Sequence, residues 1–236
     1  DLVVHFQPAA FVIENVPGLR DLDGGEQLNV AIGILSAAGY NVEESEVWDA
    51  ADYGVPQFRQ RMFVVGIRTQ GCFEMTKKRD HISAGSVLEE LPGPDVLNHE
   101  TRRHKVASVS CYMVLNYGKR DQLGRVDRLT PSRTSKTVIA GGTNGGGRSH
   151  LHPEIPRTLS VRECARLQTF PADYKLVGPT ARQFTQVGNA VPPLLAAILA
   201  TQIAKAFFLL ATGKLGCRSR MLSLPNAGWP NYLKLM

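Results

Sequence analysis

The chain has 236 residues, enough to bury a sizeable core as one large domain or two small ones. A hydrophobic fraction of 43% fits a soluble globular protein and excludes a disordered one. The net charge of +6, with an isoelectric point near 9.3, leans towards an anionic partner without identifying it.

The first element is the run AFVIE, residues 10–14. Phe11, Val12 and Ile13 favour a strand, and an unbroken apolar run predicts burial on both faces. The run stops at Glu14 and Asn15 and turns at Pro17-Gly18. Glu14 is either the first solvated residue of a loop or a half-buried carboxylate where open α/β sheets build their sites. EQLNVAIGILSAA, residues 26–38, sets Leu28, Ile32 and Leu35 at helical spacing, and Gly39 closes the helix. Val42 to Trp48 reads as a second strand, polar enough for an edge, and RMFVVGIR, residues 61–68, as a third and strongly apolar one. Strand, helix, strand and a short connection to another strand predict half of a parallel α/β sheet.

Residues 70–150 break this pattern with Gly, Pro, Arg and His, and only SAGSVLEEL, residues 83–91, looks helical. Order returns at SVRECARLQTF, residues 160–170, where Ser160 and Glu163 have capping-box spacing. A long helix follows Pro193. The segment 192–213 has the length of a membrane span, but Gln202 and Lys205 sit near its middle. A mid-bilayer lysine is disfavoured by roughly 2.5–3.5 kcal/mol, so a buried helix of a soluble domain is expected, with no membrane partner. Beyond Gly213 the periodicity fades into a tail with no assigned role. Cys72, Cys111, Cys164 and Cys217 lack CxxC or Cys/His spacing, so neither a metal site nor a disulfide framework is expected. No charged-then-apolar leader opens the chain.

Four stretches occur in one order: ENV at 14–16, PQFRQRMFVVG at 56–66, RTLSVRECARLQTFP at 157–171 and QVGNAVPP at 186–193. Together they resemble the C-terminal half of the DNA cytosine-5 methyltransferases over residues 8–210. The resemblance implies an α/β fold, a partial S-adenosylmethionine-dependent methyltransferase (Rossmann-like) sheet with an inserted irregular small domain. On that plan residues 1–69 belong to the catalytic domain and 70–178 to a target-recognition domain. Residues 179–212 form a return helix on the catalytic domain, and 213–236 a tail.

In this family the target cytosine is swung out of the duplex. A cysteine thiolate attacks C6, and C5 takes the methyl group from S-adenosylmethionine. Charge pushed onto N3 is stabilised by a proton or strong donor, the role of the ENV glutamate, here Glu14. A Glu at the end of an apolar strand is suited to hold that proton near neutral pH. Gln57, Arg59 and Arg61 alternate, so an extended segment points all three to one face, and the resemblance places Arg59 and Arg61 in the active site. The competing reading is an edge strand with solvated cations. Arg162, Glu163, Arg166 and Gln168 read as surface charges of an amphipathic helix, with Ala165 and Leu167 inward. Cys164, inside that helix, is not expected to be the nucleophile. Gly188-Asn189 reads as a turn before the long helix, and the resemblance puts Asn189 near the methionine part of S-adenosylmethionine.

The glycine-rich VIAGGTNGGGRSH, residues 138–150, contains neither GxGxxG nor GxxxxGK(S/T). In a recognition domain its glycines let the backbone approach a groove. Thr143, Asn144 and Arg148 could then read base edges or phosphates, and Arg133 and Lys136 suit phosphate contacts. A plain surface loop is the alternative.

The family's Phe-x-Gly-x-Gly-Gly cofactor loop and Pro-Cys-Gln nucleophile segment do not occur in these residues; none of the four cysteines follows a proline. Motif order would put both before Asp1, in a missing N-terminal half or a complementary subunit, and the chain alone is expected to be poorly soluble and inactive. The expected partner is double-stranded DNA, in a bacterial restriction–modification setting in the cytoplasm, at the nucleoid. The competing function is a catalytically inactive DNA-binding relative, or the non-catalytic subunit of a split methyltransferase.

Overall fold

A computed structural model of the chain describes residues 1–42, 46–68, 73, 75–77, 80–89, 95–140 and 150–211. They divide into two compact units. Among these residues one unit comprises Asp1–Asp49, Arg59–Lys77 and residues 196–211; the other comprises Ala50–Phe58 and Lys78–Leu195.

The first unit begins with a short helix α1 (Leu2–Phe6), strand β1 (Ala10–Asn15) and a one-turn helix α2 (Gly18–Asp21). Helix α3 (Glu26–Ala37) and strands β2 (Asn41–Val42), β3 (Glu46–Asp49) and β4 (Gln60–Ile67) follow. α3 forms where its apolar spacing predicts, and it turns Leu28, Ile32 and Leu35 onto a core of Phe11, Ile13, Tyr40, Met62 and Val64. Tyr40 closes this core with its hydroxyl on the Pro8 carbonyl, 2.7 Å, and its ring edge-on to Phe11.

The sheet corrects the expected parallel arrangement. β4 lies between β1 on one side and β2 and β3 on the other, and every pairing is antiparallel. The register runs from Ala10↔Ile67 to Asn15↔Met62 and from Glu46↔Phe63 to Asp49↔Gln60. Residues 50–59 join β3 to β4 through only a 3-10 turn (Ala50–Tyr53), too little for the crossover that parallel neighbours need. β1 is thus a sheet edge among the described residues, and Val12 is 40% exposed, so the expected burial on both faces holds for β4 and not for β1. Phe11 faces Gly66, where a Cβ would lie 2.1 Å from its ring; only glycine leaves that ring its place in the core.

The second unit carries α4 (Ala84–Leu88), α5 (Val106–Val114), β5 (Asp127–Arg128), β6 (His150–Leu151), α6 (Val161–Leu167) and α7 (Thr180–Asn189). α4 was legible, capped by Ser83, but α5 was not: with Val106 and Val114 above 80% exposed it has no apolar stripe. The core gathers Leu88, Leu129, Val138, Leu159, Leu167 and Phe184 around α6. Cys164 lies buried in it, a packing residue. Residues 56–58 zip onto 135–138 through Ser135 N to Pro56 O, 3.1 Å, and Phe58 N to Ser135 O, 2.9 Å.

The last described helix is α8 (Pro193–Ala211). Among the described residues one stretch, Thr180–Ala206, which takes in α7 and most of α8, is long and apolar enough to cross a membrane by length and composition. Leu194, Leu195, Leu199 and Ala206 within it are buried in the protein.

Candidate functional site

Glu14 stands opposite Phe63 across the β1–β4 pair. Its diagonal neighbour on the same face of an antiparallel pair is two residues along, and that residue is Arg61. Arg61 Nε lies 3.0 Å from Glu14 Oε1, with both side chains largely buried. On the other side of β4 Arg61 is opposed by Trp48, whose ring stacks on Phe63 at 4.7 Å. The ion pair and the aromatic pair thus share one face of the sheet.

Arg59 is 1% exposed, and its amide donates to Asp49 Oδ1 at 2.9 Å. Burial, then the Arg61 charge beside it, pushes its guanidinium down to about 10, with Glu14 opposing. It is still a cation at neutral pH, so one carboxyl is held among two guanidiniums. Such a group can hydrogen-bond a polar heterocycle and hold an anion next to it. Gln57, expected beside them, is engaged otherwise: its Oε1 accepts from the Val138 amide. Asp49 escaped the sequence reading, although it ends its strand in a carboxylate as Glu14 does.

The charges of α6 are a correction. Arg162, Glu163 and Gln168 are buried, not on the surface. The capping box forms as predicted, Glu163 N on Ser160 Oγ and Ser160 N on Glu163 Oε2. Glu163 also takes two bonds from Arg157, 2.7 and 2.8 Å. Arg162 donates to the carbonyls of Leu97, Pro171 and Tyr174 and to Asn98 Oδ1. A fork of five donors meets these carbonyls better than water could, which is why the residue turns inward.

This network should make the protein acid-labile. Burial would raise the Glu163 carboxyl, but the bonds from Arg157 and the Ser160 amide hold it below its ordinary 4.5. His99 and His152 sit below their ordinary 6.5, chiefly through burial. All three values fall on folding, so the unfolded chain binds more protons below each ordinary value, and stability drops as pH falls. Urea midpoints should be level above pH 7, decline from about pH 6.5 as the histidines charge, and fall further below about pH 4.5. Glu163→Gln should shrink the lower step, to which Asp121 and Asp127 also contribute, and lose about 3–5 kcal/mol at pH 7, because Arg157 loses its buried partner.

Gly188 and Asn189 end α7 and do not form the expected turn. Gly188 serves a close approach: a Cβ there would meet the Ala140 nitrogen at 2.2 Å and the Ile139 carbonyl carbon at 2.5 Å. Backbone cannot swing aside as a side chain does. Gly188→Ala should therefore destabilise by about 1–3 kcal/mol or more, read as a lower thermal midpoint. An unchanged midpoint would mean that residues 139–140 can move away. Asn189 is exposed and borders a pocket of ≈ 410 Å³ with Phe170, Tyr174, Leu176 and Val191 among its walls.

Of the residues expected at nucleic acid, Arg133 is exposed, while Lys136 Nζ is ion-paired to Asp127 at 2.8 Å. Thr143, Asn144 and Arg148 lie outside the described residues.

The profile of the C-5 cytosine-specific DNA methylase family matches residues 1–205. The chain is 34% identical to the type II methyltransferase M.BbvI of Brevibacillus brevis, over 86% of this chain and 60% of that protein. It is equally identical to M.MthTI of Methanothermobacter thermautotrophicus, over 87% of this chain and 68% of that protein. The chain therefore spans about 60% of the length of relatives such as M.BbvI. In fold it is similar to a protein described as a DNA modification methyltransferase from an E. coli prophage. The TM-score is 0.77 at 22% identity, covering 88% of this chain and 72% of that structure.

Proposed function

The chain belongs to the C-5 cytosine-specific DNA methylase family, and from that premise we propose that it carries part of the machinery that methylates C5 of a flipped-out cytosine in duplex DNA. Restriction–modification is the proposed setting. The observation that carries this reading is the Glu14–Arg61 pair with the buried Arg59 beside it, on the face and at the strand end where the family's ENV and QxRxR motifs fall.

Attack at C6 drives electron density onto N3 of the ring. Glu14 takes a proton from solvent as the base docks and passes it to N3 as that charge develops, and Arg61 holds the carboxyl in place from Oε1, leaving Oε2 for the base. Arg59, fixed through its amide by Asp49, is the cation for the base O2 or a neighbouring phosphate. Trp48 and Phe63 give this face an apolar floor that keeps water from competing for the ion pair.

S-adenosylmethionine supplies an electrophilic methyl group when bound. The residues around Asn189 fit a part of it: an exposed carboxamide beside aromatic and aliphatic walls suits a molecule that is apolar with polar ends. Asn189 would bind the methionine end. Residues 70–178 are proposed as the target-recognition region, and the cofactor loop and nucleophile as supplied by a further segment or subunit.

The test is product identification. The whole reading frame is expressed and incubated with duplex DNA and S-adenosylmethionine, and the DNA is digested to nucleosides for mass spectrometry. 5-Methyldeoxycytidine is the expected product. Methylation of an exocyclic amine, or DNA binding with no methyl transfer, would replace this reading with another chemistry or with an inactive relative.

A further inference from the structure

Residues 118–128 form a hairpin that no sequence motif singles out. Gly118 N donates to Arg128 O, Arg128 N to Lys119 O and Asp121 N to Val126 O, at 2.8–2.9 Å. Asp121 folds the tip by accepting from the Arg125 and Val126 amides. The hairpin's charges are sorted by depth. The carboxylates of Asp127 and Asp121 are only 4% and 10% exposed, whereas Arg120 and Lys136 are each 58% exposed and Arg125 62%. Arg120 and Lys136 both bind Asp127, at 2.8 Å each, so one buried acid holds two outward cations side by side. Burial opposes ionisation of Asp127, but bonds from Arg120 and Lys136 keep it below the usual carboxylate range.

Arg120 uses two of its five N–H groups on Asp127 and Lys136 one of three, so several donors remain for an external anion. The hairpin itself, residues 118–128, contains no aromatic residue on which unpaired bases could stack. Its neighbour Tyr117 is 47% exposed, but one face of its ring is covered by the Arg128 guanidinium at 4.8 Å. Sorted cations on a hairpin without aromatics suit the phosphates of a duplex.

We propose that the Gly118–Arg128 hairpin, with Lys136, is a phosphate clamp that grips the backbone of duplex DNA through Arg120, Lys136 and Arg125, with Asp127 and Asp121 as its positioning residues. This rests on duplex DNA being the substrate. The clamp sets the register of the protein on the duplex and carries no sequence information.

The experiment is fluorescence anisotropy of a labelled 30-base-pair duplex with the protein expressed from the whole reading frame, from 50 to 300 mM salt. The Arg120→Gln, Lys136→Gln double variant should flatten the slope of log affinity against log salt by about 1.8, and Arg125→Gln by about 0.9. Arg20→Gln, which removes an exposed cation from the other unit, should leave the slope within error. Asp127→Asn adds a positive charge, yet it should weaken binding and flatten the slope at a temperature where circular dichroism shows the variant still folded; tighter binding would overturn the positioning role. If the wild-type chain binds duplex and the double variant matches it, or Arg20→Gln matches the double variant, the clamp is wrong and the substrate reading stands. If the wild-type chain ignores duplex at 50 mM salt, or prefers an RNA hairpin of equal length, the reading of this unit as a duplex-DNA binder fails and the clamp fails with it.

Discussion

Glu14→Gln should lower the turnover of methyl transfer by roughly 10²–10⁴-fold with little change in KM for DNA, the range typical of a lost general acid. Glutamine keeps the shape of the side chain, but it cannot serve N3 as the proton donor proposed for Glu14. It also removes a carboxylate that meets Arg61 at 3.0 Å and offsets the mutual repulsion of Arg61 and Arg59. Folding should suffer little, because Arg61 keeps some access to water and its Nη1 still donates to the Gln60 carbonyl at 2.7 Å. Single-turnover rates with the whole reading frame separate the outcomes. A large rate loss at unchanged DNA affinity supports proton sharing at N3. A rate within twofold of wild type removes Glu14 from the chemistry, and a loss confined to affinity makes it a binding residue. Arg59→Lys is the companion variant. It keeps a charge but not the fork, and it should lose both rate and affinity if Arg59 holds the base O2 or a phosphate.

Arg162→Ala should be the most damaging substitution for stability, at about 3–5 kcal/mol, or a fall in melting temperature of roughly 10 °C or more. The side chain is 1% exposed and ties the Leu97–Asn98 segment, Pro171 and Tyr174 to the start of α6. Removing it leaves three carbonyls buried without that donor and opens a cavity as large as the side chain. Arg162→Lys should recover only part of the loss, because one ammonium cannot span acceptors arranged for a planar fork. Equal midpoints for the lysine and alanine variants would show that the fork matters and the charge does not.

The features legible in the sequence were local ones. The apolar run before Glu14, the 3.6-residue spacing of Leu28, Ile32 and Leu35, and the Ser160/Glu163 cap each lie within one turn or strand. The structure shows all three. What escaped depends on partners distant in sequence. The direction of β4 follows from how short residues 50–59 are, a constraint that apolar runs do not express. Arg162 reads as a solvated charge until residues 97–98, some 64 positions earlier, supply its acceptors. Gly188 looks like a turn because glycine usually marks one, and its real constraint is the Ile139–Ala140 backbone. At the candidate site, the strand-end signal that picked out Glu14 applied equally to Asp49, but only the fold shows that Asp49 holds the Arg59 amide.

The place of β4 in its sheet also sets a timetable for synthesis. Among the described residues β1 and β2 do not bond to each other; each bonds only to β4, whose first residue is number 60. A ribosome adding about 5–20 residues per second needs roughly 2–9 s to travel from the end of β1 to the start of β4. Throughout that interval the nascent Phe11-Val12-Ile13 run lacks its β4 neighbour, and within residues 10–59 α3 can shelter Phe11 and Ile13. Val12, 40% exposed even after folding, stays open on that side until β4 arrives, so a chaperone that recognises short extended apolar segments should engage this chain there, before residue 67 has emerged.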